Sequence, residues 1–368
     1  MGGPVISTAR ALHAWAGAIL SALMIVLSLS GALLVWKEDY LRLTMPEARQ
    51  PFEATPDNLA ILANTAETKF GRENIRLIVF GTEHFGINKV YLHGEDFAYL
   101  DGEGNVLATW HGTARFEEWL FDLHHYLLAG RTGKLVAGAA GLSMAVLIIA
   151  GLIAFWPTRK AFRLGMAVRS LRRPHLLLSH RNIGIIFAVP AFLLILTGGA
   201  IVYYGPTKAI LTVFDTPAPA PQPVARVEAQ DWQAVFTAGQ AAFPDADIRM
   251  GSWPSESRPA ASVRMRRAPE WHPNGRTYLA APLAQGEPTT TTNAQAAPLG
   301  ERAYNAFYPL HAAKTGGIVY KLVVFMTGIA LTALGLLGLI SFVQRLLGMR
   351  PAPAIRRSTQ SVTPPQGS

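Results

Sequence analysis

The sequence predicts an α-helical membrane protein: a four-helix transmembrane bundle of two parallel repeats, with two extracytoplasmic α+β domains. Three observations predict it. Four apolar runs, residues 11–36, 135–156, 183–204 and 322–343, are each long enough to cross a hydrocarbon core of about 30 Å, which takes roughly 20 residues per helix. Basic residues gather in alternate connecting segments. The two long segments between runs repeat one order, a helix followed by strands.

Taken along the chain, residues 1–36 form the first span. It is longer than a signal-peptide core and reaches Lys37-Glu38-Asp39 without an A-x-A site, so it is read as retained. Residues 37–132 form the first extracytoplasmic domain, with nine Lys/Arg against fifteen Asp/Glu. In it, Thr55 as N-cap and Pro56 at the first position predict a helix over 55–70. Strand-like runs follow at 75–80, 88–93, 97–100 and 106–110, with a turn at Asp101-Gly102-Glu103-Gly104. The second span occupies 133–156.

Residues 157–181 form a basic loop holding Arg159, Lys160, Arg163, Arg169, Arg172, Arg173 and Arg181 with no acidic residue. The positive-inside rule makes it cytoplasmic. The third span is 182–204 and the second extracytoplasmic domain 205–317, with ten basic and nine acidic residues. A helix is expected over 228–242 and strands over 248–253, 261–266 and 277–281. Residues 215–223 read as a proline-rich linker and 286–298 as a mobile Thr/Ala/Pro-rich loop. The fourth span is 318–345, and the tail 346–368 adds Arg350, Arg356 and Arg357. Both termini are then cytoplasmic and the large loops periplasmic, in a bacterial inner membrane.

Composition removes several function classes. The net charge of +9 follows from topology, so the expected surroundings are a lipid bilayer and no nucleic acid. With no cysteine there is no disulfide, no cysteine-ligated iron–sulfur cluster and no covalent c-type haem. The absence of a Walker A motif and of a Gly-rich turn outside the spans argues against a bound nucleotide or flavin.

Ionisable residues at membrane depth are costly and mark function. His13 and His180 open the first and third spans, each in the pattern H-x-x-x-G with Gly17 and Gly184 one turn on. A glycine on the ligand's face leaves room for a flat macrocycle. His124 and His311 precede the second and fourth spans, each after a leucine; His125 beside His124 is the weaker choice. The spacings match between halves, 124 − 13 = 111 and 311 − 180 = 131, so the halves read as parallel repeats. Two imidazoles at each face, without a carboxylate, suit bis-histidine haem better than zinc, which gathers three or four ligands in one shell. Arg10 and Arg181 could meet the propionates of an inner haem, and Arg131, Lys134 and Lys314 those of an outer one. His84, His93, His111, His175 and His272 lie in loops, where a solvated surface role is the default.

Leu12-His13-Ala-Trp-Ala-Gly17, Leu123-His124-x-x-Leu127-Leu128-x-Gly130, Ser179-His180-Arg181-x-x-Gly184, and Leu310-His311 with Gly316-Gly317 resemble, in order, the four span motifs of the PepSY-associated transmembrane-helix family. Asp101-Gly102-Glu103-Gly104-Asn105-Val106-Leu107 is similar to the hairpin of the PepSY module; the second module is a weaker match. Members of this family include inner-membrane ferric-siderophore reductases of the FoxB type. The resemblance implies two non-covalent, bis-histidine haem b groups on His13, His180, His124 and His311. It also implies a ferric siderophore as substrate, reduced by one electron at the periplasmic loops. The electron donor is then another molecule, a cytoplasmic reductant or a quinol. Two rivals make different predictions. PepSY modules that only bind or regulate, with spans as anchors, predict a colourless protein. A haem b electron-transfer subunit for another oxidoreductase predicts pigment without a siderophore reaction.

Overall fold

The computed structural model describes residues 3–348 apart from 164, 166, 167 and 169; Arg169, Arg350, Arg356 and Arg357 lie outside the described residues. In chain order the helices are α1 (Pro4–Leu34), α2 (Lys37–Thr44), α3 (Pro56–Phe70), α4 (Phe116–Tyr126), α5 (Gly130–Phe155), α6 (Arg173–Val202), α7 (Tyr204–Leu211), α8 (Trp232–Ala242), α9 (Leu299–His311) and α10 (Gly317–Leu346). The strands are β1 (Ile75–Val79), β2 (Asn88–Leu92), β3 (Asp96–Leu100), β4 (Val106–His111), β5 (Gln222–Val224), β6 (Ala246–Ser252), β7 (Ala260–Arg267), β8 (Thr277–Pro282) and β9 (Thr289–Thr292).

Helices α1, α5, α6 and α10 are long and apolar enough to cross a membrane, and the chain is a membrane protein. They pack in a closed square: α1 on α10, α10 on α6, α6 on α5 and α5 on α1. Small residues set the closest approach. A Cβ on Gly328 would lie 2.8 Å from Ala32 Cβ, and one on Gly335 2.8 Å from Ile25 Cγ1, so α1 and α10 touch backbone to side chain as membrane helices do. A hydroxyl pair, Ser28 and Thr332 at 2.9 Å, bridges the same seam.

The helices begin earlier than the apolar runs. Pro4 and Pro174 sit in the first turns of α1 and α6, where proline's fixed φ and missing N–H suit a helix start. His13 and His180 therefore stand at the start of the apolar runs but about two turns or more inside their helices. Hydropathy marks the depth of the hydrocarbon core, whereas helix ends follow capping and local chemistry.

At the other end of the bundle the strands build one antiparallel sheet in the order β4-β3-β2-β1-β6-β7-β8-β9-β5. This corrects the expectation of two separate domains: β1 pairs directly with β6, Ile78 opposite Gly251. Helices α3 and α8 cover one face, and a single core draws Leu59, Leu62, Ile78 and Val90 from the first segment and Phe236, Ile248, Val263 and Leu279 from the second. Two further strands were hidden in the supposed linker and mobile loop: β5 pairs with β9, Val224 opposite Thr289. Pro223 is tolerated there because β5 is the sheet edge, and consecutive threonines favour extended chain.

Capping explains two of the starts. Thr55 Oγ1 accepts from Asn58 N at 3.3 Å, while Asp231 accepts from Ala234 N at 3.0 Å and so delays α8 to Trp232.

Glu67 on α3 ties the two segments together. Its Oε1 accepts from Trp232 Nε1 at 2.8 Å and Trp253 Nε1 at 2.7 Å, and its Oε2 pairs with Arg72 at 2.7 Å. Glu67→Ala strands both buried indole N–H groups, so a loss of roughly 2–4 kcal/mol is expected for the sheet domain. Thermal unfolding followed by tryptophan fluorescence checks it; an unchanged midpoint would remove Glu67 from this role.

Candidate functional site

Each of the four histidines meets a neighbouring helix in the same way. His13 Nδ1 lies 2.9 Å from the Leu147 carbonyl oxygen of α5, and His180 Nδ1 3.1 Å from that of Leu334 on α10. His124 Nδ1 lies 2.9 Å from Leu27 O of α1, and His311 Nδ1 2.9 Å from Leu194 O of α6. Four residues beyond each carbonyl stands a glycine, and the ring lies over it. A Cβ would come within 3.0 Å of His13 Cε1 at Gly151, 3.4 Å of His180 at Gly338, and 2.7 Å of His124 and His311 at Gly31 and Gly198. Leucine carbonyl, glycine saddle and imidazole thus form one unit, used four times.

These units recur at constant offsets. His13 and His180 differ by the same 167 positions as Leu27 and Leu194 (180 − 13 = 194 − 27). His124 and His311 differ by the same 187 as Leu147 and Leu334 (311 − 124 = 334 − 147).

The units also fix the tautomer. A carbonyl can only accept, so each Nδ1 carries the proton and donates, leaving the lone pair on Nε2. The hydroxyls of Ser30 and Thr197 give the His124 and His311 rings a second neighbour, at 3.2 and 3.4 Å. Both hydroxyls donate to carbonyls of their own helices, so they act on the rings as acceptors.

The rings then pair across the diagonals of the bundle. His13 and His180 have centroids 5.8 Å apart with planes at 79°, and His124 and His311 lie 6.1 Å apart at 32°. Metal–imidazole bonds are about 2.0–2.1 Å and a ring centre lies roughly 1.1 Å beyond its nitrogen, so two imidazoles bonding one metal from opposite sides stand roughly 6 Å apart. Both pairs fit that span. His13 and Gly31 are separated along α1, as His180 and Gly198 are along α6, by a helical rise of roughly 27 Å, which sets one pair near each face of the bundle. Among the described residues no group of three or more His, Asp or Glu forms a metal cluster.

The turn that follows His124 is strained in its favour. Leu127 and Leu128 both take positive φ, +48° and +57°, at a cost of roughly 1–2 kcal/mol each. The reversal lets α4 return the chain into α5 within a few residues. Gly133 makes this possible, since a Cβ there would collide with Tyr126 O.

His125 takes no part in the pairing. Its ring stacks on Phe121 at 3.9 Å and its Nδ1 faces Phe121 O of its own helix. His111 is exposed, its Nδ1 2.9 Å from an Asp96 carboxylate oxygen. Gly17 faces open space, and Gly184 meets only Leu334 at 3.7 Å. Arg10 and Arg131 are exposed and Lys134 half-buried. Arg181 donates to the side chain of Asn182. Lys314 is already engaged, pairing with Glu38 of α2 at 2.6 Å. Burial raises the Glu38 carboxyl, but Lys314, with Arg42 and Lys321, more than offsets this and holds it below the usual carboxylate range. His272, expected on the surface, is buried instead, folded back by the Asn274-Gly275 turn against Arg264 and Tyr308.

The saddle residues Gly31, Gly151 and Gly198 carried no notice in the sequence. Their one signal, Leu-x-x-x-Gly in all four spans, is common among membrane helices.

A family model described as the PepSY-associated TM region matches residues 10–345. Comparison with curated proteins gives no match.

Proposed function

Because the chain belongs to the PepSY-associated transmembrane family, we propose that it is a di-haem electron-transfer protein that reduces a ferric siderophore and thereby frees the iron. The observation that carries this reading is the pairing of four Nδ1-anchored imidazoles, whose Nε2 lone pairs are left for a metal at two depths. His13 and His180 would hold one haem b, and His124 and His311 the other, both without covalent attachment because the chain has no cysteine. When bound, such a group supplies one-electron chemistry with no open iron position.

The chain's own contributions are orientation and insulation. Carbonyl-anchored imidazoles are better donors and cannot rotate freely. All four rings are half-buried against the spans that anchor them. Arg10 and Arg181 near one face, and Arg131 and Lys134 near the other, are the candidates to meet propionates. Lys314 is less free to do so while Glu38 holds it. The basic connector and both termini would face the cytoplasm of a bacterial inner membrane, with the sheet in the periplasm beside His124 and His311. Hard oxygen ligands of a siderophore favour Fe³⁺ over Fe²⁺, so one-electron reduction there weakens the complex. The donor on the opposite face is a separate molecule, a cytoplasmic reductant or a quinol.

A reduced-minus-oxidised spectrum with haem:protein stoichiometry tests the cofactor, two per chain being expected. Stopped-flow mixing of the reduced protein with a ferric hydroxamate tests the substrate. A colourless preparation from haem-replete cells would overturn the redox reading in favour of a binding or regulatory protein. A coloured protein that the ferric siderophore does not reoxidise would favour an electron-transfer subunit for another oxidoreductase.

A further inference from the structure

We propose that a cavity of about 320 Å³ between α9, the outer end of α6 and the β7–β8 hairpin is a binding site for a small oxyanion, a carboxylate or phosphate carried by a small molecule. Two guanidiniums line it, Arg264 of β7 and Arg276 just before β8. Neither forms an ion pair among the described residues. Arg276 Nε is buried with no hydrogen-bond partner there. Glu270 bears on Arg264 through space, but its carboxylate oxygens are taken by the backbone N–H groups of Arg267 and Arg276 and by the Thr277 hydroxyl. Half-buried guanidiniums whose one nearby carboxylate is hydrogen-bonded elsewhere leave positive charge only partly compensated, which is costly, and a bound anion would lower that cost.

The remaining lining supplies shape and donors. Arg264 is held in place by Nε donation to Gly275 O at 2.7 Å and by contact with the His272 ring at 3.2 Å. His272 offers no competing charge: burial first, then Arg276, Arg264 and Arg266, hold it down at about 2. Its ring stacks on Tyr308 at 5.1 Å to make one wall. Tyr304, Asn274 and Asn305 also line the cavity, and each carries a side-chain group that can donate to an anion.

The other half of the chain shows what this place holds when it is not a pocket. At the 187-residue offset that relates His124 to His311, Tyr304 and Asn305 correspond to Glu117 and Glu118 of α4. There Glu118 pairs with Lys89 of β2 and Lys37, both at 2.8 Å, and Glu117 pairs with Arg115. The first half closes the space between helix and sheet with its own carboxylates. The second half has Arg264 and Arg276 beside its helix and carries neutral donors, Tyr304 and Asn305, at the two acidic positions. Tyr308 lies one helical turn before His311, and Ile201 three residues beyond the Gly198 saddle, so an anion bound there sits next to the His124–His311 pair.

Anion binding in this cavity does not require haem and can be measured whether or not the protein is coloured. Isothermal titration of the full-length, detergent-solubilised protein with citrate, and separately with inorganic phosphate, in chloride-free buffer, should show binding of at least one; which one distinguishes the two sources of charge. Arg276→Gln and Asn305→Glu, the second restoring the carboxylate of the first half, should each weaken binding at least about tenfold. Gln285→Glu, the same charge change on an exposed loop, should not. Thermal unfolding of each variant shows whether it folds; should Arg276→Gln fail to, Asn305→Glu decides. Binding of neither anion, or equal binding by wild type and Asn305→Glu, overturns the proposal.

Discussion

Purified His311→Ala is expected to carry one haem per chain instead of two, and to be reoxidised by a ferric siderophore at least about 100-fold more slowly. Removing a hydrogen-bond partner of a metal-bound imidazole typically costs about 10–100-fold in metal affinity; removing the imidazole itself should cost more. The second site does not collapse with the first, because the His13–His180 pair is anchored on α5 and α10, and His124–His311 on α1 and α6. His13→Ala should therefore give the complementary loss. His125→Ala is the informative control. Its ring lies on Phe121 and bonds its own helix, so both haems should remain. Haemochrome stoichiometry on the three variants checks this, and wild-type pigment in His311→Ala would dismiss the ligand assignment.

What was legible in the sequence was local. The four spans announce themselves by continuous apolar composition, the start of α3 by Thr55-Pro56, and the candidate histidines by their expense at membrane depth. What was hidden was everything set by partners distant along the chain. The carbonyls that hold the four rings lie 97 to 154 positions from their histidines. No residue near His124 points to Leu27, and no residue near His13 to Gly151. The fusion of the two sheets has the same character. Each module presents an ordinary first strand, and only their apposition turns two edges into the β1–β6 seam. Edge exposure is a liability that pairing removes, but the sequence of β1 does not say which strand will remove it. Edge strand β5 escaped notice because Pro223 argues locally for a linker, whereas an edge strand tolerates it. The His272 cavity was missed for a related reason: its charge imbalance appears only when α9 is laid beside β7.

The glycine saddles allow a graded test in which the structure and a simple reading of the sequence part company. From sequence, the room for a macrocycle belongs first to Gly17 and Gly184, on the same helices as His13 and His180, while Gly138, Gly141, Gly328, Gly335 and Gly338 suit either that room or close helix packing. In the structure the rings themselves rest on glycines of neighbouring helices, at distances that rank the sites. A methyl at Gly31 or Gly198 would lie 2.7 Å from an imidazole carbon, at Gly151 3.0 Å, at Gly338 3.4 Å, and at Gly17 it meets nothing within 4 Å. The ring cannot retreat from the methyl without stretching its bond to the leucine carbonyl one turn earlier. Overpacking of this kind costs about 1–3 kcal/mol, and a weakened hydrogen bond adds roughly 0.5–1.5 kcal/mol. Against this, alanine gains up to about 1 kcal/mol over glycine in helix propensity. The net penalty falls on ring placement, while the helix itself is stabilised. Gly31→Ala and Gly198→Ala should therefore fold normally and yet lose affinity at the His124–His311 level by about 10–100-fold. Gly151→Ala should show a smaller loss at the His13–His180 level, and Gly338→Ala almost none. Haem retention during dilution, followed in parallel with thermal unfolding, reads both quantities. Gly17→Ala matching Gly31→Ala in its loss would show that the space needed is on the ligand's own helix, and would remove the saddles from the site.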